Sequence, residues 1–405
     1  MDTQTNNFLK ILKSIFDKQN EILLDEPVNW EVLSETARKQ NLLPLFFEAA
    51  AVRDDYRNSG VFQKDQLDTF GMVAAQIQRS NAFLETYKKI TEQGIFPIVM
   101  KGIVCRQLYG KLGEHRPSAD EDILVEVKDF SKVRKILEQE NFVCSVPDIT
   151  ERELNRIQEV SFYNWEQKLS LDVHMNMIGK KNEERKLMDG FFQKIHEHGQ
   201  MMQIYGIEVK VPEPTEFLLF LILHAYKHFR YAGVGIRQMM DTLLYYREYK
   251  NCICMESLQN ALKTCRAEKF WLDILYIGNQ YLGLCEEMPE TSCCPEELLQ
   301  DLIHTGVFGG RDRKDHMAAR VNSAVVDDER KQSKGYMLFK AAFPSKSMVM
   351  DGYPYLVEKP WLLPAVWAKR WIKFARYAGK DVWKVSREIL QKSSVRMEMI
   401  KKYKR

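Results

Sequence analysis

From Leu169 to Met177 the chain alternates without a break: Leu169, Leu171, Val173, Met175 and Met177 fall on one side, and Ser170, Asp172, His174 and Asn176 on the other. Side chains of a β-strand repeat with period two, so this stretch predicts a strand with one apolar and one polar face. Glu159 to Trp165 predicts a neighbouring strand, and Glu166-Gln167-Lys168 can turn one into the other as a hairpin. The polar face carries a carboxylate, Asp172.

Two more carboxylates stand fifty residues upstream, where Asp120-Glu121-Asp122 enters Ile123-Leu124-Val125-Glu126-Val127. On a strand Asp120 and Asp122 share a face, while Ile123, Val125 and Val127 point into a core. Glu121 then also points away from its neighbours, which requires either a strand that begins at Asp122 or a basic partner such as Arg116. Laid beside the Asp172 strand, the pair completes a cluster of three acids. A hard divalent cation such as Mg²⁺ or Mn²⁺ takes a few carboxylates and leaves room for phosphate oxygens. Two such ions about 3.5–4 Å apart support in-line displacement at phosphorus. The plain alternative is a strand edge with solvated acids.

Around these segments the pattern is mostly helical. Phe8 to Ile22, Trp30 to Ala51 and Asp65 to Gln93 predict amphipathic helices, the last ended by Gly94. Ile95 to Met100 predicts a short buried strand that delivers Lys101-Gly102 to a helix start, where free backbone N–H groups favour anions. Asp129 to Glu140 predicts a helix capped by Asp129. Gln200 to Val211 predicts a hairpin turning at Gly206, and a helical region opens at Pro214 with Thr215 as its cap. The expected class is α+β: a mixed sheet flanked by helices, with helical N-terminal and C-terminal regions. The expected divisions are a helical N-terminal region 1–93, a catalytic core 94–213, a helical domain 214–345 forming the other wall of a cleft, and a basic aromatic-rich tail 346–405.

The first residues lack a basic region and a long apolar run, and no apolar run approaches the ~18 residues that span a bilayer. The eight cysteines lack zinc-site spacing, so reduced thiols in a cytoplasmic protein are expected. The net charge of +3 is unevenly spread: residues 361–405 carry thirteen Lys/Arg against three Asp/Glu, leaving the other 360 residues at −7. Within that tail Leu363, Trp367, Trp371, Phe374, Ala378, Val382, Val385 and Ile389 recur at helical spacing. A helix packed on the body with a solvated basic back is expected, with an anionic membrane surface or nucleic acid as the alternative partners of its basic side. Gly379 is a candidate break.

Lys101-Gly102, Tyr109, Arg116, Asp120-x-Asp122-x-Leu124-Val125 and Asp172-x-His174 together resemble a family of bacterial nucleotidyltransferases within the DNA polymerase beta-like superfamily. The resemblance extends loosely over most of the chain, and the blocks 101–127 and 172–174 carry its specificity. It departs from the wider superfamily in having Lys101-Gly102 where Gly-Ser grips the phosphates, and in placing Glu121 where an apolar residue is usual. The resemblance implies a metal-dependent transfer of a nucleoside monophosphate from an NTP to a hydroxyl or phosphate acceptor: a sugar, small molecule, protein or RNA. Asp120, Asp122 and Asp172 are then the catalytic and metal-holding acids, and Lys101, Gly102 and Arg116 the nucleotide-binding groups. His174, Lys227 and His228 are candidates for supporting the metal site or the acceptor. A non-catalytic nucleotide- or partner-binding module that retained the fold is the alternative. His224-Ala225-Tyr226-Lys227-His228 lacks the glutamate of a zinc-protease helix, so its histidines are expected in the core or facing substrate. Arg237 and Asp241, four apart, are expected to form a helix-surface or interhelix ion pair. Gly306 to Arg311 is not a Walker loop and is expected to be a connector.

Overall fold

The computed structural model describes residues 1–405 except 18–21, 179–182, 232, 291, 307–333, 351, 379–381 and 405. The stretch 307–311 of the expected connector and the expected break at Gly379 lie outside the described residues. The fold is α+β, a seven-stranded mixed sheet flanked by helices, as the patterning predicts.

The strands are β1 (Ile98–Val99), β2 (Glu121–Leu124), β3 (Val143–Cys144), β4 (Glu159–Asn164), β5 (Leu169–His174), β6 (Gln200–Ile204) and β7 (Ile207–Val211). Their order across the sheet is β3-β4-β5-β2-β1-β7-β6. The β4–β5 hairpin pairs Glu159 with His174 and Asn164 with Leu169, and Lys168 turns it at φ +51°. The β6–β7 hairpin turns through Tyr205 and Gly206, both at positive φ, the backbone that a two-residue turn demands. At the centre β2 runs parallel to β5, and β1 runs antiparallel to β2. Leu171, Val173 and Ile123 are fully buried.

Helix boundaries shifted where local chemistry overruled periodicity. Asn41, at φ +53°, divides the expected Trp30–Ala51 helix into Trp30–Lys39 and Leu43–Ala50. The first helix starts earlier than expected, Thr3–Ser14, because the Asp2 side chain accepts from Thr5 N–H and caps it. After β2 the helix begins at Val127 with Glu126 in the cap position, so Val127 is helical rather than the last strand residue and Asp129 falls in the first turn. Thr215 likewise lies inside a helix, Pro214–Tyr231, rather than capping it.

The C-terminal segment divides in two. Helix Val382–Lys404 joins the main core through Ile389, Met397, Ile400 and Tyr403. Its anchor is Asp273, whose carboxylate accepts from the Tyr403 hydroxyl at 2.5 Å and from the backbone N–H groups of Cys293 and Cys294. Helix Leu363–Ala378 gives Val366 to a satellite cluster with Val349 and Leu356 and packs Phe374 against the main core.

Two helices pack beside the segment that leads into β2: Pro214–Tyr231 and Ile236–Tyr249. The second carries Asp241, which the sequence pairs with Arg237. Asp241 instead accepts from Arg116 Nε at 3.0 Å and from the Tyr109 hydroxyl at 2.8 Å, while Arg237 Nη1 donates to the carbonyl of Pro117. Arg116 and Asp241 are both buried. Removing one partner of a buried pair leaves an uncompensated charge, so Arg116→Met should lower unfolding stability by about 3–5 kcal/mol. Urea denaturation of the two proteins measures it, and a loss under 1 kcal/mol, the size of a surface pair, would contradict this account of the clamp.

Candidate active site

The parallel register of β2 and β5 sets Asp122 directly opposite Asp172. Paired residues on neighbouring strands project to the same side, so the two carboxylates share one face. Asp120 stands one residue before β2, close enough to Asp122, Asp172 and Lys101 for their charges to act on it. These acids form a cluster, but a wide one. Among the described residues, the three ligand groups whose atoms lie within 4.8 Å of one another are Asp273, Cys293 and Cys294, not the three aspartates.

The aspartates differ sharply in charge. Burial pushes Asp120 up, and the neighbouring Asp122 adds to it. Asp172 is pushed up to about 6, by burial first and then by Asp122, Glu159 and Asp120. Asp122 goes the other way: burial opposes its charge, but Lys101 and His174 outweigh burial and hold it well below the usual range. Lys101 Nζ lies 3.1 Å from one oxygen of Asp122, and His174 Nε2 lies 2.9 Å from the other. His174 also meets Glu159 at 3.3 Å. The cluster thus favours the ionised form at Asp122 and disfavours it at Asp120 and Asp172.

Helix Pro214–Tyr231 supplies the opposite side. His224 Nε2 lies 3.2 Å from Lys101 Nζ, and His228 Nε2 lies 3.1 Å from His224 Nε2. Burial, then Lys101, holds His224 neutral, so it accepts from the ammonium. An unbroken polar path therefore runs from His228 through His224, Lys101 and Asp122 to His174. Lys227 donates to Gln158 at 3.3 Å. The sequence places His224 in the core or facing substrate without a role at the site; its i, i+4 spacing with His228, which puts both rings on one helix face, is the signal that ties the two together.

The Lys101-Gly102 turn has an occupant of its own. Gly102 leads into a short helix, Ile103–Gln107, whose first N–H, that of Ile103, donates to Glu121 Oε2 at 2.8 Å. Glu121 is buried, and its partner is Arg106 at 2.6 Å, not Arg116. Ser118 Oγ bonds both Arg106 and Glu121. The anion at this helix start is therefore the protein's own carboxylate, and Arg116 is engaged by Asp241. Of the three expected nucleotide-binding residues, the geometry brings only Lys101 to the acids.

The loop that carries Asp120 is tied down on several sides. Pro117 O accepts from Arg237 and from Asn41 Nδ2 at 3.2 Å, and Ser118 N donates to Gln76 Oε1 at 2.9 Å. A site held by buried bonds from separate helices keeps its geometry without a ligand.

A family model described as an uncharacterised nucleotidyltransferase matches residues 26–283, more than half of the chain and all of the elements just described. No curated protein matches the chain, and no solved structure does.

Gly102 has φ +46°, and a Cβ there would stand 1.9 Å from Glu121 Oε2. Gly110 has a similar φ, +56°, with nothing within 4 Å of its Cβ position. Gly110→Ala should cost about 1 kcal/mol from backbone strain alone, and Gly102→Ala about 3 kcal/mol or more, because the Glu121 carboxylate must also leave its partners. Denaturation curves of both variants test this, and equal losses would show that Glu121 does not fill the turn.

Proposed function

The chain belongs to this nucleotidyltransferase family, and on that premise we propose that it moves a nucleoside monophosphate from an NTP to a hydroxyl or phosphate acceptor, with release of pyrophosphate. The observation that carries the reading is the Asp122–Asp172 register on adjacent parallel strands, with Asp120 beside them. The donor set fits a hard divalent cation, Mg²⁺ or Mn²⁺: oxygens only, with two of its carboxylates, Asp120 and Asp172, raised by burial and by neighbouring acids that a cation would offset. Asp120, Asp122 and Asp172 would hold it, and it would supply positive charge to the phosphates where negative charge develops.

The protein's own groups do the rest. Lys101, with its ammonium beside the acids, binds phosphate oxygens. Its pKa is raised because the charges of Asp122 and Asp120 outweigh burial, so it stays cationic across the physiological range. Asp172 takes the proton of the attacking hydroxyl, a role suited to a carboxyl near 6. His174 orients Asp122. His224 fixes where the ammonium points, with His228 and Lys227 behind it on the same helix. The acceptor enters from that side. The protein works in the cytoplasm on this reading.

The alternative, a binding module that retained the fold, draws on one observation: the helix start that would grip phosphate holds Glu121 instead. Labelled NTPs with Mg²⁺, and cell extract as the source of acceptor, separate the two. Wild type should transfer label, and chelation of the metal should stop it. Asp122→Asn should lose at least about a hundredfold while keeping its helical spectrum, since it removes charge stabilisation that other side chains do not supply. Equal labelling by wild type and Asp122→Asn would sink the assignment. NTP binding without transfer would favour the binding module.

Proton competition sets a second expectation. A metal needs Asp172 ionised, and burial keeps it protonated up to about pH 6. Below that value Mg²⁺ affinity should fall about tenfold per pH unit, and above it affinity should level off. Calorimetry at pH 5, 6 and 7 reads this, and a flat affinity across that range would remove Asp172 from the metal site.

A further inference from the structure

Helix Leu363–Ala378 has two apolar faces, and the protein body covers only one. Val366 is buried, and Trp367 and Phe374 are partly buried. Next to Trp367 and turning away from Val366, Ala368, Trp371, Ile372 and Ala375 are exposed, Trp371 by 43% and Ile372 by 53%. At 3.6 residues per turn these four fall on one face of the helix. Trp361, in the turn just before, continues the strip and is 69% exposed. The strip widens through ring contacts: Trp371 packs on Phe343 at 4.7 Å, and Phe343 on Phe339, itself 59% exposed. These rings are held, not loose, since Trp371 Nε1 donates to the carbonyl of Ala342 at 2.8 Å.

Charge borders the strip. The helix carries Lys369, Arg370, Lys373 and Arg376 and no acid, and Lys369, Lys373 and Arg376 are exposed along one flank. Among the described residues, no helix is long and apolar enough to cross a membrane. We propose that this face docks the protein on the surface of an anionic lipid bilayer. Trp361, Trp371 and Ile372 enter the boundary between headgroups and acyl chains, and the lysines and arginine meet lipid phosphates.

The arrangement favours lipid over the other occupants. The strip sets the aliphatic side chains of Ala368, Ile372 and Ala375 beside its tryptophans, as an acyl-chain boundary rather than a base calls for, and the cations sit at its edge rather than along a groove. Two copies laid face to face would oppose like charges without an acid to pair them. The docking is independent of the transfer reaction and would hold whether or not the protein is a catalyst.

The full-length protein is sedimented with vesicles of phosphatidylglycerol and phosphatidylcholine in equal parts, and with phosphatidylcholine alone, at low and high salt. Wild type should bind the anionic vesicles and lose binding as salt rises. Trp361→Glu and Ile372→Glu, at exposed positions that should leave the melting curve unchanged, should each abolish binding. Lys373→Ala and Arg376→Ala should each weaken it roughly fivefold. The proposal is overturned by any of four results: no vesicle binding, equal binding to neutral vesicles, binding by both glutamate variants as tight as wild type, or capture of an oligonucleotide but not of vesicles. Self-association abolished by Ile372→Glu, without vesicle binding, would assign the face to a second copy instead.

Discussion

One buried carboxylate, Glu121, organises the centre of this protein. It sits between two aspartates that face the other way, and alternation drives it into the interior. Burial of an unpaired acid is costly, and burial indeed raises its pKa despite the guanidinium beside it. The chain meets that cost with three partners from two segments: Arg106 from the helix that follows the Lys-Gly turn, the N–H of Ile103 at the start of that helix, and Ser118 from the loop before β2. Together they fix the turn, the helix and the strand in one geometry. Gly102 is glycine because a side chain there would collide with this carboxylate.

The outward side of the same strand works by the opposite logic. Inside, one acid is matched by one base and a set of dipoles. Outside, three acids face Lys101 and His174, and both of those settle on Asp122. Asp120 and Asp172 are left with raised pKa values in a cluster too open to be closed by hydrogen bonds among its own members. On the proposed reading an external cation would offset the two raised carboxylates, with Lys101 beside them. The helix Pro214–Tyr231 completes it through His224, so the sheet and the helical layer are coupled through a line of polar contacts rather than through packing alone.

The C-terminal segment shows how one composition can serve two ends. Its helices are both basic and both apolar in part. Val382–Lys404 is drawn into the main core because Tyr403 reaches the buried Asp273, whereas Leu363–Ala378 gives Val366 to a small cluster, leans Phe374 on the main core and keeps one apolar face outside.

The sequence by itself determined the class of fold and the β4–β5 and β6–β7 hairpins, because these follow from period-two patterning and from turns a few residues long. For Glu121 it left two readings, a strand that begins at Asp122 or a basic partner, and the structure takes the second: β2 begins at Glu121 and a guanidinium meets it. The sequence did not show which guanidinium. Arg106 is Glu121's partner and Asp241 is Arg116's, because the helix after Gly102 turns Arg106 inward, and a helix more than a hundred residues later brings Asp241 to Arg116. The pairing of Asp122 with Asp172 likewise depended on β2 lying parallel to β5, a long-range register that local pattern does not encode. His224 entered the site only because the helix packs across the sheet. Which face of Leu363–Ala378 stays open was decided in the same way. Periodicity marks apolar residues, but the tertiary structure decides which of them find something to pack against.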